Sequence, residues 1–409
     1  MTKSISDKNP ARRGLWLRFI SMALGLVIAG ALIIGMQLPL LNRLSTSQVF
    51  TDALRSAQPK TSLAWPSVGS AAVVIPSLGV RRAWRDEVLP IASLTKLMTA
   101  FVTLKKLPLA LGQTGPCVTI TNDDVATYEA MKLSDQSSVL VSEGESLCEV
   151  DLLNGLLVHS ASNYATLLAT MVSGSTDNFV ALMNRTASLL GLKGTHYADA
   201  SGFDDGSVST ALDQGELAAL LMKSPLVRQI VDQTSVMLPV AGNVGSFTPY
   251  VGVDNVIGVK SGRTADAGGC DVMAMTFQVG SSTRIVYAVV LGQRGGNLLG
   301  PAGDAALALA QSAVQSDHVY TLQAGSPYGA IGWGGSASTS LVGLAQPVQF
   351  SWWTARGAIS MSVHLQNFTG TIRRGQRVGW LRVRANSTHR FALVVERTIS
   401  PLTLWQRLR

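Results

Sequence analysis

The stretch Ile91-Ala92-Ser93-Leu94-Thr95-Lys96-Leu97-Met98-Thr99-Ala100 places a Ser-x-x-Lys tetrad among small and apolar residues. The apolar residues after Lys96 predict a helix, in which side chains three positions apart lie on one face. The Lys96 amine is therefore expected beside the Ser93 hydroxyl. Because burial and a nearby cation lower the pKa of a lysine, Lys96 could take the proton of the serine. The tetrad predicts Ser93 as a nucleophile and Lys96 as its base.

The tetrad alone is a weak indication, since many ordinary helices begin with a capping serine followed by a surface lysine. Two further elements lie downstream, His159-Ser160-Ala161-Ser162-Asn163 and Val259-Lys260-Ser261-Gly262-Arg263-Thr264. Their order and spacing match those described for penicillin-binding proteins and related serine enzymes. Three elements in this order favour catalysis over a set of unrelated surface residues.

On these motifs the chain resembles the serine-type D-Ala-D-Ala carboxypeptidase family, the low-molecular-mass penicillin-binding proteins, from about residue 65 to about residue 315. The segments that extend the resemblance are Gly144-Glu145-Ser146-Leu147, Thr195-His196-Tyr197, Ala200-Ser201-Gly202-Phe203 and Lys260 to Cys270. The resemblance implies an α+β fold, with a penicillin-binding/β-lactamase-like catalytic domain in which helices pack around an antiparallel sheet. It also implies a small C-terminal β domain.

The resemblance further implies hydrolysis of a peptidoglycan stem peptide that ends in D-Ala-D-Ala, and covalent inhibition by β-lactams. Ser93 would attack the penultimate carbonyl, Lys96 would take the serine proton, and Ser160 would relay a proton to the leaving amine. The backbone amides of Ser93 and Arg263 would stabilise the oxyanion. The residues expected to bind the substrate are Ser162, Asn163, Lys260, Ser261, Gly262 and Arg263.

Two positions depart from the family pattern. Lys260 and Ser261 would hold the terminal carboxylate of the substrate, and Ser261 stands where threonine is usual, which keeps the hydroxyl. In the second motif, Ser162 stands where asparagine is usual, and Asn163 comes one position late. Either Ser162 takes the place of the amide, or the loop is reshaped and presents Asn163.

Two other functions remain open from the sequence. A β-lactamase shares the serine and lysine motifs, but class A enzymes use a glutamate that acts through water to release the acyl group. No convincing glutamate and asparagine pair lies between Asn163 and Val259, and Glu216 falls in a predicted amphipathic helix. A non-catalytic, membrane-tethered wall-binding homologue is the second alternative, and Ser162 is the residue that favours it.

Charge and composition limit the kinds of molecule that the chain is expected to bind. The chain has 409 residues and a formal net charge of +8, and from Phe350 to the end it carries ten arginines against the single acid Glu396. In an exported protein such a basic end fits an anionic membrane or wall polymer better than nucleic acid. The five histidines lack metal-ligand spacing and the glycine-rich segment near residue 330 lacks a phosphate-loop pattern, so we predict no metal, cofactor or nucleotide.

The N-terminal part predicts a membrane anchor. Residues 19–42 carry no charge and are long enough to cross a hydrocarbon core of about 30 Å. The basic residues before them are Lys3, Lys8, Arg12, Arg13 and Arg18, against Asp7 alone. We therefore predict a cytoplasmic tail over 1–18, an anchor over 19–42 and an extracytoplasmic catalytic domain. A signal peptide cleaved at Ala29-Gly30-Ala31 is disfavoured, because the apolar run continues beyond that site.

The remaining chain divides by texture into a polar linker over 43–64, a catalytic domain over 65–316 and a β domain over 317–409. The elements predicted for the catalytic domain are strands at 71–75, 256–260, 271–279 and 284–292 and helices at 150–158, 164–172, 211–231 and 302–314. The strands at 271–279 and 284–292 are expected to form a hairpin. Residues 402–409 are an amphipathic turn or a frayed end, and we favour the frayed end.

Three cysteines, Cys117, Cys148 and Cys270, form neither a disulfide framework nor a metal motif. Cys270 ends a predicted strand, so we expect a buried, apolar thiol. Cys117 and Cys148 flank a segment that could fold back on itself, and an oxidising compartment would permit a bond between them.

Overall fold

The computed structural model describes residues 18–32, 44–48, 62–333, 339–356 and 359–401. The helices are α1 (18–32), α2 (Thr95–Lys106), α3 (Asn122–Leu133), α4 (Glu149–Leu157), α5 (Ser162–Ser173), α6 (Thr176–Leu190), α7 (Ala211–Leu221), α8 (Pro225–Val231) and α9 (Leu299–Gln315). The strands up to the end of α9 are β1 (Leu44–Gln48), β2 (Ser70–Ile75), β3 (Val80–Trp84), β4 (Leu89–Pro90), β5 (Cys117–Thr119), β6 (Ser146–Cys148), β7 (Val208–Ser209), β8 (Ser235–Leu238), β9 (Gly242–Gly245), β10 (Val256–Thr264), β11 (Gly268–Val279) and β12 (Ser282–Gln293). The later strands are β13 (Asp317–Leu322), β14 (Gly329–Trp333), β15 (Thr339–Leu344), β16 (Val348–Trp353), β17 (Ser360–Leu365), β18 (Arg377–Arg384) and β19 (Thr388–Val395).

A five-stranded antiparallel sheet forms the middle layer of the catalytic domain, in the order β10-β11-β12-β2-β3. Successive residues of a strand point to opposite faces, and both faces are apolar. Val272 and Val289 face the main helical cluster, whereas Met273 and Val290 pack with the inner side of α9. The predicted α+β class is confirmed, and the predicted hairpin is β11 and β12.

Helix α2 lies at the centre of the helical layer. Its residues from Thr95 to Thr103 are all buried, including Leu97 and Met98, which are fully inaccessible to solvent. Burial also includes the polar residues Lys96, Thr99 and Thr103, so the helix is enclosed on every side without being apolar all round. The predicted helix over 211–231 is two helices, because Pro225 begins α8 and Ser224 caps it.

The C-terminal β domain contains a six-stranded sheet in the order β1-β14-β15-β19-β18-β17 and a separate β13–β16 pair. Trp353 is fully buried, and its indole N–H donates to the carbonyl of Ala313 at 2.8 Å, which ties the domain to α9. Residues 44–48 pair antiparallel with Gly329–Trp333. This part of the predicted linker is therefore a strand, since an edge strand can be held by backbone hydrogen bonds without an apolar pattern of its own.

The predicted anchor is described only in part. Residues 18–32 are helical, with apolar side chains such as Phe19 and Leu26 about two-thirds exposed. Residues 33–42 and 402–409 lie outside the described residues. Within the described ranges, none of the helices has both the length and the apolar character needed to cross a bilayer.

Cys117 and Cys148 form a disulfide between the paired strands β5 and β6, where they lie directly opposite each other. The sequence had left this bond open. Cys270 is a free, buried thiol, as predicted.

Candidate active site

A turn of 3-10 helix, Ala92–Leu94, presents Ser93 at the beginning of α2. Ala92 has a positive φ of 48°, an uncommon conformation for a residue with a side chain, and such strain is typical of functional turns. Ser93 lies in a pocket of about 710 Å³. The predicted residues that line this pocket are Ser93, Ser160, Ser162, Ser261, Gly262 and Arg263.

Lys96 lies one helical turn after Ser93, as the tetrad spacing predicts. Its Nζ is 2.9 Å from Ser93 Oγ and 2.7 Å from the carbonyl oxygen of Ser201. The side chain is fully buried. Burial, and then the charge of Lys260, lower the pKa of Lys96 well below its ordinary value, although the carboxylate of Asp199 opposes this shift. A neutral lysine amine in contact with a serine hydroxyl can accept its proton.

The second motif lies between α4 and α5. Ser160 is buried, has a positive φ of 64° and lines the pocket. Ser162 is the first residue of α5 and also lines the pocket. Asn163 does not line it, because its amide is bonded twice to the backbone of Val139, accepting from the N–H at 3.0 Å and donating to the carbonyl at 2.8 Å. Of the two residues proposed to replace the usual asparagine, only Ser162 lies in the pocket.

The third motif is the inner part of β10, next to the nucleophile turn. Gly262 packs so closely that a Cβ there would lie 2.6 Å from the backbone nitrogen of Ser93, so only glycine fits. Lys260 is fully buried, and its Nζ donates to the Ser261 carbonyl at 2.8 Å. The Ser261 hydroxyl donates to the Phe247 carbonyl at 2.8 Å.

A buried acid lies on the strand beside Lys260. Asp271 of β11 is directly opposite Ser261 in the sheet and fully inaccessible to solvent. Burial raises the pKa of Asp271 well above its ordinary value, and the positive charge of Lys260 opposes that shift. Burial lowers the pKa of Lys260 to about 7, and the charge of Asp271 opposes it. The two groups therefore favour each other's charged forms.

The mouth of the pocket carries one pair of opposite charges. Arg263 on β10 and Asp135, in the loop after α3, approach to 3.9 Å across the pocket. Both side chains are largely exposed, so this pair contributes little to stability. Both residues line the pocket together with Ser93, so the two charges can contact a ligand that enters.

Three acidic residues of this region were missed by the sequence reasoning: Asp135, Asp199 and Asp271. Asp271 could have been recognised from the sequence, because it is the one charge in the apolar run from Cys270 to Val279. The sequence indication for Asp199 is weaker: an aspartate two residues before Ser-Gly is typical of a side-chain-capped turn. Among the described residues, no group of three or more His, Cys, Asp or Glu side chains has the arrangement of a metal site.

A family model described as D-alanyl-D-alanine carboxypeptidase matches residues 82–295 of the chain. One curated relative is the D-alanyl-D-alanine endopeptidase of Pseudomonas aeruginosa, 32% identical over 204 residues that cover 47% of this chain and 61% of the relative. Another is the D-alanyl-D-alanine carboxypeptidase DacA of Escherichia coli, 29% identical over 216 residues that cover 49% of this chain and 50% of the relative. The chain therefore spans between half and about three-fifths of the length of these relatives.

Solved structures share the fold. Penicillin binding protein 5 from Haemophilus influenzae superposes with a TM-score of 0.57 at 20% identity, covering 83% of this chain and 98% of that protein. The Streptomyces K15 DD-transpeptidase gives a TM-score of 0.52 at 22% identity, covering 63% of this chain and 98% of that protein. The first match extends into the C-terminal β domain, because it covers more of the chain than the catalytic domain alone.

Proposed function

The chain belongs to the D-alanyl-D-alanine carboxypeptidase family, and we propose that it removes the terminal D-alanine from peptidoglycan stem peptides through a Ser93 acyl-enzyme. The observation that carries this proposal is the 2.9 Å contact between Lys96 Nζ and Ser93 Oγ, with the lysine fully buried. A buried, neutral amine is a base that can activate a serine without a histidine.

The reaction has two halves. In the first, Ser93 Oγ forms a bond to the penultimate carbonyl while Lys96 takes the hydroxyl proton, and the negative oxygen binds the backbone amides of Ser93 and Arg263. The C–N bond then breaks, and D-alanine leaves with a proton that Lys96 returns through Ser160. In the second half, water attacks the ester carbonyl and gives a proton to Lys96. The bond between the acyl carbon and Ser93 Oγ then breaks, and Lys96 returns the proton to Ser93 as the shortened peptide leaves.

The terminal carboxylate of the substrate would bind at the strand wall of the pocket. A protonated Lys260 would supply the cation that an anionic chain end requires, and the Ser261 hydroxyl would turn from the Phe247 carbonyl to donate to it. Ser162 would contact the acyl part of the peptide, with one hydroxyl in place of the usual amide. β-Lactams would acylate Ser93 and remain bound for as long as deacylation is slow.

The test is covalent labelling by a fluorescent penicillin, followed by release of D-alanine from a pentapeptide that ends in D-Ala-D-Ala. We expect one molecule of label per chain and turnover of the peptide. Labelling without turnover would indicate the non-catalytic homologue, and rapid hydrolysis of the penicillin would indicate a β-lactamase. The β-lactamase is disfavoured because Glu216 pairs with Arg81 at 2.7 Å and is not among the residues that line the pocket.

The chain is further proposed to be a single-pass membrane protein whose catalytic domain faces outward. The uncharged run over 19–42, the basic residues before it, and a disulfide of the kind that persists in oxidising compartments support this orientation. Membrane fractionation and protease protection test it. N-terminal sequencing that begins at Leu32 would show a cleaved signal peptide instead.

A further inference from the structure

The Ser201 carbonyl that accepts the Lys96 hydrogen bond belongs to a tightly bonded turn. The carboxylate of Asp199 lies at its centre and accepts from five nearby groups, one of which is the Ser201 N–H at 3.3 Å. The Ser201 hydroxyl donates to it at 2.6 Å, the Gly202 N–H at 2.8 Å and the Phe203 N–H at 3.0 Å. The Ser207 hydroxyl donates to it at 2.8 Å from the far side of the turn. One side chain therefore fixes the whole turn.

The same turn packs against the backbone next to the nucleophile. Gly202 has a positive φ of 80°, and a Cβ there would lie 1.8 Å from the Ala92 carbonyl oxygen. The Thr99 hydroxyl donates to the Ala200 carbonyl at 2.6 Å, which binds the turn to α2. A displacement of this turn would therefore move the acceptor of Lys96 and the backbone next to Ser93 together.

Asp199 also contributes charge. Burial would raise the pKa of Asp199, but the hydrogen bonds from Ser201, Ser207, Phe203 and Gly202 lower it below its ordinary value, so the group is ionised at neutral pH. The charged groups that act on Lys96 are Asp199 in this turn and Lys260 on β10, and Asp271 on β11 acts on Lys260 in turn. Asp199 is the group that favours the protonated form of Lys96.

We propose that Asp199 is a positioning residue for Lys96, holding both the Ser201 carbonyl and a negative charge near the lysine amine. This inference rests on the proposed function, in which Lys96 is the base, and the arrangement meets a requirement of such a base. Burial and the charge of Lys260 lower the pKa of Lys96, yet a base must also be strong enough to take the serine proton. Asp199 restores part of that basicity while it fixes the direction of the amine.

The deciding experiment is an NMR titration of the lysine side chains in the full chain, with the Lys96 signal assigned by its absence in Lys96→Arg. In Asp199→Asn, which keeps an acceptor and removes the charge, we expect the pKa of Lys96 to fall. Asp204→Asn is the matched control, because it removes an exposed charge from the same segment. An unchanged pKa of Lys96 in Asp199→Asn would overturn the proposal, whether or not the chain reacts with penicillin.

Ser207→Ala is a second variant. It leaves the charge and removes the hydrogen bond to the Asp199 carboxylate, together with those that Ser207 Oγ accepts from the Ala198 and Asp199 N–H groups. Because the turn would loosen, we expect acylation by penicillin to slow about tenfold with the pKa of Lys96 unchanged. Acylation at the wild-type rate would overturn the positioning role. Wild-type protein that is not acylated at all would contradict the proposed function, while the titration of Asp199→Asn would still decide the inference.

Discussion

Each wall of the pocket has one fully buried lysine behind it: Lys96 behind the helical wall with Ser93, and Lys260 behind the strand wall with Ser261 to Arg263. The two amines have the same chemistry and the same burial, yet their neighbours differ. Lys96 contacts a serine hydroxyl, and burial together with the charge of Lys260 holds its pKa well below the ordinary value, against the opposing charge of Asp199. Lys260 has Asp271 in its favour, and its pKa is about 7. Burial lowers the pKa of both lysines, and their neighbours then separate the two: the cation Lys260 lowers that of Lys96 further, whereas the acid Asp271 opposes the lowering at Lys260.

The largest effect is expected from removing the nucleophile of the helical wall. Ser93→Ala leaves no oxygen to acylate, so covalent labelling by a fluorescent penicillin should fall to background. The control is Ser188→Ala, an exposed serine on α6 that should label like the wild type. Circular dichroism should show that both variants are folded. Labelling that persists in Ser93→Ala would mean that another residue is the nucleophile.

The base of the helical wall is tested by Lys96→Arg. Arginine keeps the positive charge but cannot lose its proton, so acylation should slow by a factor of about 10² to 10⁴. Lys105→Arg, at an exposed position of the same helix, is the matched control. A normal acylation rate in Lys96→Arg would mean that Lys96 is not the base, so the two buried lysines would no longer be assigned different roles.

The cation of the strand wall is tested by pH. Because the pKa of Lys260 is about 7, the amine is charged below that value, and binding of a carboxylate should weaken as pH rises through it. For a D-Ala-D-Ala peptide, kcat/KM should therefore decline on the alkaline side near pH 7 and decline on the acid side as Lys96 becomes protonated. Lys260→Arg should lose the alkaline decline, because arginine stays charged.

Lys260→Met removes the charge altogether. A hydrogen bond to a charged group contributes about 1.5 to 3 kcal/mol, so kcat/KM should fall by roughly 10- to 150-fold, mainly through KM. Lys223→Met, an exposed lysine after α7, is the control. A decrease in kcat alone would indicate a role in proton transfer instead of carboxylate binding.

The smallest effect concerns the altered second motif on the helical wall. Ser162→Asn restores an amide in the pocket, and one added hydrogen bond of about 0.5 to 1.5 kcal/mol should raise turnover roughly three- to tenfold. Asn163→Ala should instead lower the free energy of unfolding by about 1 to 3 kcal/mol, because it leaves the buried backbone of Val139 unpaired. Loss of activity in Ser162→Asn, together with loss of activity at unchanged stability in Asn163→Ala, would mean that Asn163 enters the working site.

Local patterns in the sequence were enough to predict some of the contacts and elements. The spacing of Ser93 and Lys96 predicted their contact, because a helix brings residues three apart together regardless of what surrounds it. Apolar periodicity and turn residues predicted the β11–β12 hairpin and the helices around Ser160 in the same way. The resemblance to a family then indicated that three motifs distant in sequence meet in one site, which periodicity alone cannot predict.

Tertiary structure alone decided what depends on packing between distant segments. The pKa of Lys96 depends on burial and on the charges of Lys260 and Asp199, which lie more than a hundred residues away along the chain, and no local pattern encodes that proximity. The choice between Ser162 and Asn163 depended on which of them faces Val139, a contact made by a loop from another part of the fold. The strand at 44–48 escaped prediction because its partner supplies the hydrogen bonds, and backbone pairing leaves no trace in side-chain composition.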